Sequence, residues 1–257
     1  MSAIREAIVK DQRSPELNRL LSDSMTGLLR VSHLVSVYVE VRKKHNKARG
    51  RVWTHLSDIL RAAVVLCHAS LEEFLRGIVY IEGDWNDEFL QKVPLPGDRR
   101  PFGGERFCLS DLRRFEDYKV ADLIEESVYE HLRKRSFSRV EDVVWALRVA
   151  RIPTKALESF FPRIDALMQR RHSIAHTGDI DEELGKGHHS TKSISLKTVE
   201  DWNLKLGQFF MVVADQIGKL KTEQDAPPNS RPPSQLPKAA AIHASDPQRT
   251  TSSGGCG

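Results

Sequence analysis

The feature that most constrains this chain is an apolar stripe in which Leu56, Leu60, Val64, Cys67, Leu71, Phe74 and Ile78 recur at three- and four-residue steps without a break. Only an α-helix puts that spacing on one face. Its near-heptad rhythm calls for another long helix to pack against. No segment of useful length alternates with the two-residue period of a strand, and no repeat of fixed period is visible. The expected fold class is therefore all-α, a bundle of five to seven helices with long core helices.

Two more long helices follow from the same reasoning. Leu17, Leu21, Met25, Leu28, Val35 and Val39 trace a stripe behind Ser14-Pro15, an N-cap followed by proline at the first helical position. Lys43, Lys44, Lys47 and Arg49 precede Gly50, where cations suit the negative end of the helix dipole. Near the other end, Val199, Trp202, Leu206, Phe209, Val213, Ile217 and Leu220 form a third stripe, with Thr198 and Asp201 resembling a capping box. These first, second and last long helices are expected to build the core.

Between them the pattern is shorter. Residues 83–110 are broken by Pro94, Pro96, Gly97, Pro101, Gly103 and Gly104 and read as a loop-rich insertion. Helices are expected around Val120–Leu132 and Val140–Leu147. Another should start at Pro162, capped by Ser159, run through Ile164, Leu167, Met168, Ile174 and Ala175, and stop near His176 at Thr177-Gly178. From residue 222 prolines gather among Ser, Ala, Gln and Gly with few large apolar residues, the composition of a disordered tail. The expected organisation is one helical domain over 1–221 and a tail over 222–257.

Composition excludes little. The chain has 39 basic and 35 acidic residues and a formal charge of +4, which permits a polyanionic partner without requiring one. Cys67, Cys108 and Cys256 are widely spaced and odd in number, with no CxxC pair, so a reduced compartment is expected. No apolar run reaches a membrane-spanning length or follows a basic start as in a signal peptide. A cytoplasmic protein without a membrane partner is the expectation.

The helix from Pro162 holds the residues able to do chemistry. At about 100° per residue, Arg171 falls in the middle of the arc of Ile164, Leu167, Met168, Ile174 and Ala175. A guanidinium there needs a carboxylate, a polar cleft or a bound anion. Pairing with Glu72 or Glu73 of the second helix would make it structural. His172 and His176 lie four apart on the flank of the same helix, the spacing of a metal pair. No HExxH motif and no third ligand accompany them, so neither a metal nor another cofactor is expected. His188-His189 reads as a solvated loop. Lys43-Lys44, Arg99-Arg100, Arg113-Arg114 and Arg133-Lys134-Arg135 are solvated faces or guides for a polyanion.

The run Arg170-Arg171-His172-Ser173-Ile174-Ala175-His176-Thr177-Gly178 resembles the motif of the HEPN superfamily: an arginine, a polar residue, and a histidine beyond them at the end of a late helix. The segment Leu66-Cys67-His68-Ala69-Ser70-Leu71-Glu72-Glu73-Phe74-Leu75-Arg76 is similar to the second helix of the RiboL-PSP and MAE_28990-like members. The resemblance spans roughly residues 15 to 220 and implies a HEPN-like bundle. It further implies a metal-independent endoribonuclease with Arg171, His172 and His176 in the motif's roles. Such domains dimerise so that two motifs share a cleft, and often serve as toxins or antiviral effectors, which implies an RNA substrate, a homodimer and an antitoxin or defence-system partner. Other members are catalytically silent and bind a partner protein or nucleotide. The chemistry suits these residue types. RNA's own 2′-hydroxyl attacks the adjacent phosphate, so the site must transfer protons and stabilise developing negative charge. Imidazole does the first near neutrality, and the planar arginine fork does the second.

Overall fold

Ser14 opens the first helix as its sequence promises: its Oγ accepts from the Leu17 N–H at 3.2 Å, and Pro15 begins α1 (Pro15–His45). The computed structural model describes residues 14–45, 54–96, 113–180 and 191–225. The remaining helices are α2 (Thr54–Glu82), α3 (Asp87–Leu90), α4 (Val120–Lys134), α5 (Val140–Val149), α6 (Phe161–Thr177) and α7 (Leu196–Asp225). Among the described residues these seven helices are joined by no strand, only one isolated bridge between Ile180 and Thr191. The fold is all-α.

The stripe on α2 explains the architecture. Leu60, Val64, Cys67, Leu71, Phe74 and Ile78 are all fully buried. Each such side chain contributes about 1.5–3 kcal/mol on leaving water. α2 packs against α1, α4, α5, α6 and α7 and is the central element. Phe74 stacks on Phe210 of α7 with ring centroids 4.2 Å apart, which locks the third long helix onto the second. α1 approaches closely enough that a Cβ on Gly27 would lie 2.3 Å from Ser70 Oγ, and one on Gly77 2.3 Å from Leu20 Cδ1. A side chain at either place would force its neighbour to shift.

Local details differ from expectation in several places. On α1 the buried face is Leu17, Leu21, Ser24, Leu28, Val31 and Tyr38, whereas Met25 stays 40% exposed. The seam steps to 24 and 31 because packing follows the heptad and not the apolar residues alone. Ser159 does not cap α6: it lies within a 3-10 turn, Glu158–Phe160, which runs into the helix with Phe160 at the N-cap. Thr198 and Asp201 do not form a capping box. Ser195 holds that post, its Oγ accepting from the Thr198 N–H at 3.1 Å, and Asp201 pairs with Arg163 at 3.0 Å. The described part of the insertion contains α3, capped by Asn86, whose Oδ1 accepts from the Phe89 N–H.

α7 continues to Asp225, past the expected boundary at 221. Residues 226–257, Arg99-Arg100, His188-His189, Cys108 and Cys256 lie outside the described residues. Among the described residues, no helix is long and apolar enough to cross a membrane.

Candidate functional site

The sequence ends α6 where it should. Gly178 takes the left-handed conformation (φ 61°, ψ 20°), and its N–H caps the Ser173 carbonyl. The next residue, Asp179, is also left-handed (φ 61°), which is uncommon for a residue with a side chain but most tolerable for Asp or Asn. His176 therefore sits in the last turn of a helix that stops abruptly.

Around α6 the arc of Ile164, Leu167 and Met168 is buried against the chain's own core. Arg171 is half-buried, His172, Ala175 and His176 are exposed, and Ile174 is half-buried. The apolar stripe that carries Arg171 is thus covered largely within one chain. A subunit interface is not needed to explain the arginine's position.

α2 meets α6 with a polar ridge. Arg61, His68 and Glu72 fall within about 40° on the helical wheel. His68 is 2% exposed, its Nε2 donates to the Phe137 carbonyl at 2.9 Å, and its Nδ1 lies 3.9 Å from Glu72 Oε2. Burial lowers its pKa, the Arg171 and Arg76 charges add to that, and Glu72 and the Phe137 hydrogen bond oppose it. His68 is the neutral Nε2–H tautomer facing an arginine.

Arg171 is not paired with Glu72 or Glu73. Glu72 is committed to Arg76 at 3.4 Å and to the Phe137 N–H at 3.0 Å, and Glu73 also faces Arg76, at 3.7 Å. Among the described residues no carboxylate and no hydrogen-bond acceptor engages the Arg171 guanidinium. The expected alternative, a pair with Glu72 or Glu73, is not made because Arg76, one helical turn beyond Glu72, already engages both carboxylates.

Arg170 is the opposite case. Its Nη2 donates to Asp179 Oδ2 at 2.6 Å and to the Lys192 and Ser193 carbonyls at 2.9 and 3.0 Å. The same Asp179 oxygen accepts from Arg61 Nε at 2.8 Å, and Arg61 also reaches Ser57, Asp58 and the Lys192 carbonyl. Asp179 is fully buried. Sequence reasoning missed this cluster. The signal available was Arg61, seven residues before His68 on the same face of α2; nothing marked Asp179.

The imidazoles of His172 and His176 lie with centroids 4.4 Å apart and both are exposed. Arg171, His172 and His176 thus share the last two turns of α6. Among the described residues no group of three or more His, Cys, Asp or Glu is placed to hold a metal ion. The Cys67 thiol, pushed up to about 12 by burial, is not a nucleophile. The basic run on α4 is engaged elsewhere: Arg133 lies over Tyr129, Lys134 pairs with Glu130, and Arg135 stacks 3.5 Å from the Trp145 centroid while pairing with Asp142. Arg114 lies over Phe115.

No family model, no curated protein and no solved structure matches the chain.

Proposed function

We propose that the chain is a metal-independent endoribonuclease of the HEPN type. The observation that carries this reading is the half-buried Arg171 guanidinium, without a counter-ion among the described residues, on the same helix end as two exposed imidazoles. A buried or half-buried arginine left unpaired is an anion site, because its desolvation is offset when a phosphate enters. Arg171 holds two non-bridging phosphoryl oxygens in its fork. His176 accepts the 2′-hydroxyl proton as the 2′-oxygen attacks phosphorus. The bond to the 5′-oxygen breaks, and an imidazolium returns a proton to that oxygen. The products are a 2′,3′-cyclic phosphate and a 5′-hydroxyl.

One His176 supplies one proton transfer at a time, so the reading pairs two chains across a cleft, with the partner's His176 as the acid. His172, packed on His176, orients the imidazole and the phosphate. The setting that goes with such an enzyme is a cytoplasmic toxin or antiphage effector, restrained by an antitoxin or another defence-system protein.

The test is cleavage of purified RNA by the wild type and His176→Ala, with and without EDTA, with the 3′ ends of the products identified. EDTA-resistant cutting that yields cyclic phosphate and is lost in His176→Ala upholds the reading. A folded wild type that leaves RNA intact between about pH 6 and 8, where imidazole can serve as acid or base, overturns it. The chain is then a catalytically silent module that binds a partner protein or nucleotide.

A further inference from the structure

We propose that His172 and His176 form a two-imidazole chelate for an exchangeable transition-metal ion, Cu(II) or Ni(II). Of the ten histidines in the chain, only these two stand three or four residues apart. At that spacing side chains on a helix are neighbours. Both are exposed, so a hydrated ion can reach them. Imidazole is the commonest metal ligand and suits Zn, Cu and Ni.

The ring geometry selects among these ions. The two centroids lie 4.4 Å apart, with the ring planes at 41°. Imidazoles bound through nitrogen at about 2.0–2.1 Å have centroids about 4.5 Å apart when the angle at the metal is a right angle, and about 5.2 Å apart when it is tetrahedral. The observed separation is that of neighbouring positions in a square-planar or tetragonal shell, the preference of Cu(II) and Ni(II). Tetrahedral Zn(II) needs the rings further apart. His176 also sits in the last turn of α6, where the helix dipole favours positive charge. Among the described residues no third His, Cys, Asp or Glu joins the pair. Resident structural and catalytic metals take three or four protein ligands, so an ion held by two, with water in its other positions, exchanges with solvent.

On the ribonuclease reading above, which this consequence rests on, the ion is an inhibitor. It occupies the nitrogen lone pair that His176 needs to accept a proton, and it ties up His172 with it. The metal then restrains an enzyme that needs none to work.

The test is isothermal titration of the full chain, free of any affinity tag, with NiCl2 and with CuCl2. One ion per chain is expected, Cu(II) binding more tightly than Ni(II), while Mg2+ and Ca2+, which prefer oxygen ligands, do not compete. His172→Gln and His176→Gln lie at exposed positions and should each weaken binding about tenfold or more. The variant His188→Gln/His189→Gln should bind as wild type does. No stoichiometric binding, binding indifferent to either single substitution, or binding lost in the His188→Gln/His189→Gln variant overturns the chelate. In RNA cleavage, saturating NiCl2 should stop the wild type and EDTA should restore it. An enzyme that still cuts with Ni(II) bound at the pair overturns the inhibitory role. Wild type that binds Ni(II) at the pair but cuts no RNA overturns the ribonuclease reading and upholds the chelate. An active wild type that binds no Ni(II) overturns the chelate alone.

Discussion

On one flank of α6, the Arg170 guanidinium is bonded to a buried carboxylate and two carbonyls; one residue further along, Arg171 has no such partner among the described residues. The two side chains are chemically identical, adjacent in sequence, and both partly removed from water. What separates them is which neighbour α2 and the chain after α6 present. Arg61 and Asp179 close the first flank into a neutralised joint, while His68, kept neutral by burial, faces the second without cancelling its charge. An ion-paired arginine ties elements of the fold together, and one without a counter-ion is free to take an anion. The difference teaches that burial alone does not distinguish these roles; the count of partners does.

The largest effects should come from the open flank and be confined to activity. His176→Ala is expected to lower kcat/KM by about 10²–10⁴-fold. Arg171→Lys should cost about 10²-fold, since a point charge cannot reproduce a two-oxygen clamp. Both are read by RNA cleavage with far-UV circular dichroism as the control. A His176→Ala protein as active as wild type would remove the functional side of the comparison.

Next in size is the closed flank, where the effect should be on stability. Asp179→Ala takes the carboxylate from the buried Arg61 and the half-buried Arg170 and should cost about 3–5 kcal/mol in denaturant unfolding. A loss near zero would mean that Arg61, still close to Asp58, and Arg170, still on two carbonyls, need no carboxylate.

Acid should weaken the joint between α2 and its neighbours more gently. Burial, reinforced by Arg171 and Arg76, holds the His68 pKa below its ordinary value, so the native state binds fewer protons than the unfolded chain as that site titrates. The stabilisation is fully present above the unfolded value of about 6.5 and is lost as pH falls below it towards the folded value. His131 is shifted the same way by burial and by Arg135 and Lys134. The melting temperature should drop between about pH 7 and 5, and His68→Gln, whose amide can still donate to the Phe137 carbonyl, should remove part of that drop. Undiminished acid sensitivity in His68→Gln would show that the buried imidazole is not the cause. The smallest effect is expected for Arg171→Ala, within about 0.5 kcal/mol of wild-type stability in the same unfolding assay. A cost of several kcal/mol would reveal a structural role for Arg171 and erase the contrast with Arg170.

The sequence by itself determined the three long helices, the Ser14-Pro15 start, the Gly178 stop, and the placing of Arg171, His172 and His176 on one helix end. These are local matters: apolar spacing at the helical period and the few residues able to cap or terminate a helix leave little choice. Tertiary structure decided the rest. That Glu72 answers Arg76 and not Arg171, that Arg170 pairs with Asp179, and that Ser195 caps α7 in place of Thr198 depend on which side chains meet across elements. Asp179 is the clearest instance, since a carboxylate 118 residues from Arg61 along the chain becomes its partner only once α2 and the end of α6 are packed together. Helical period fixes the face on which a charge lies, but its partner is set by the packing of other faces, and one sequence position carries no record of that.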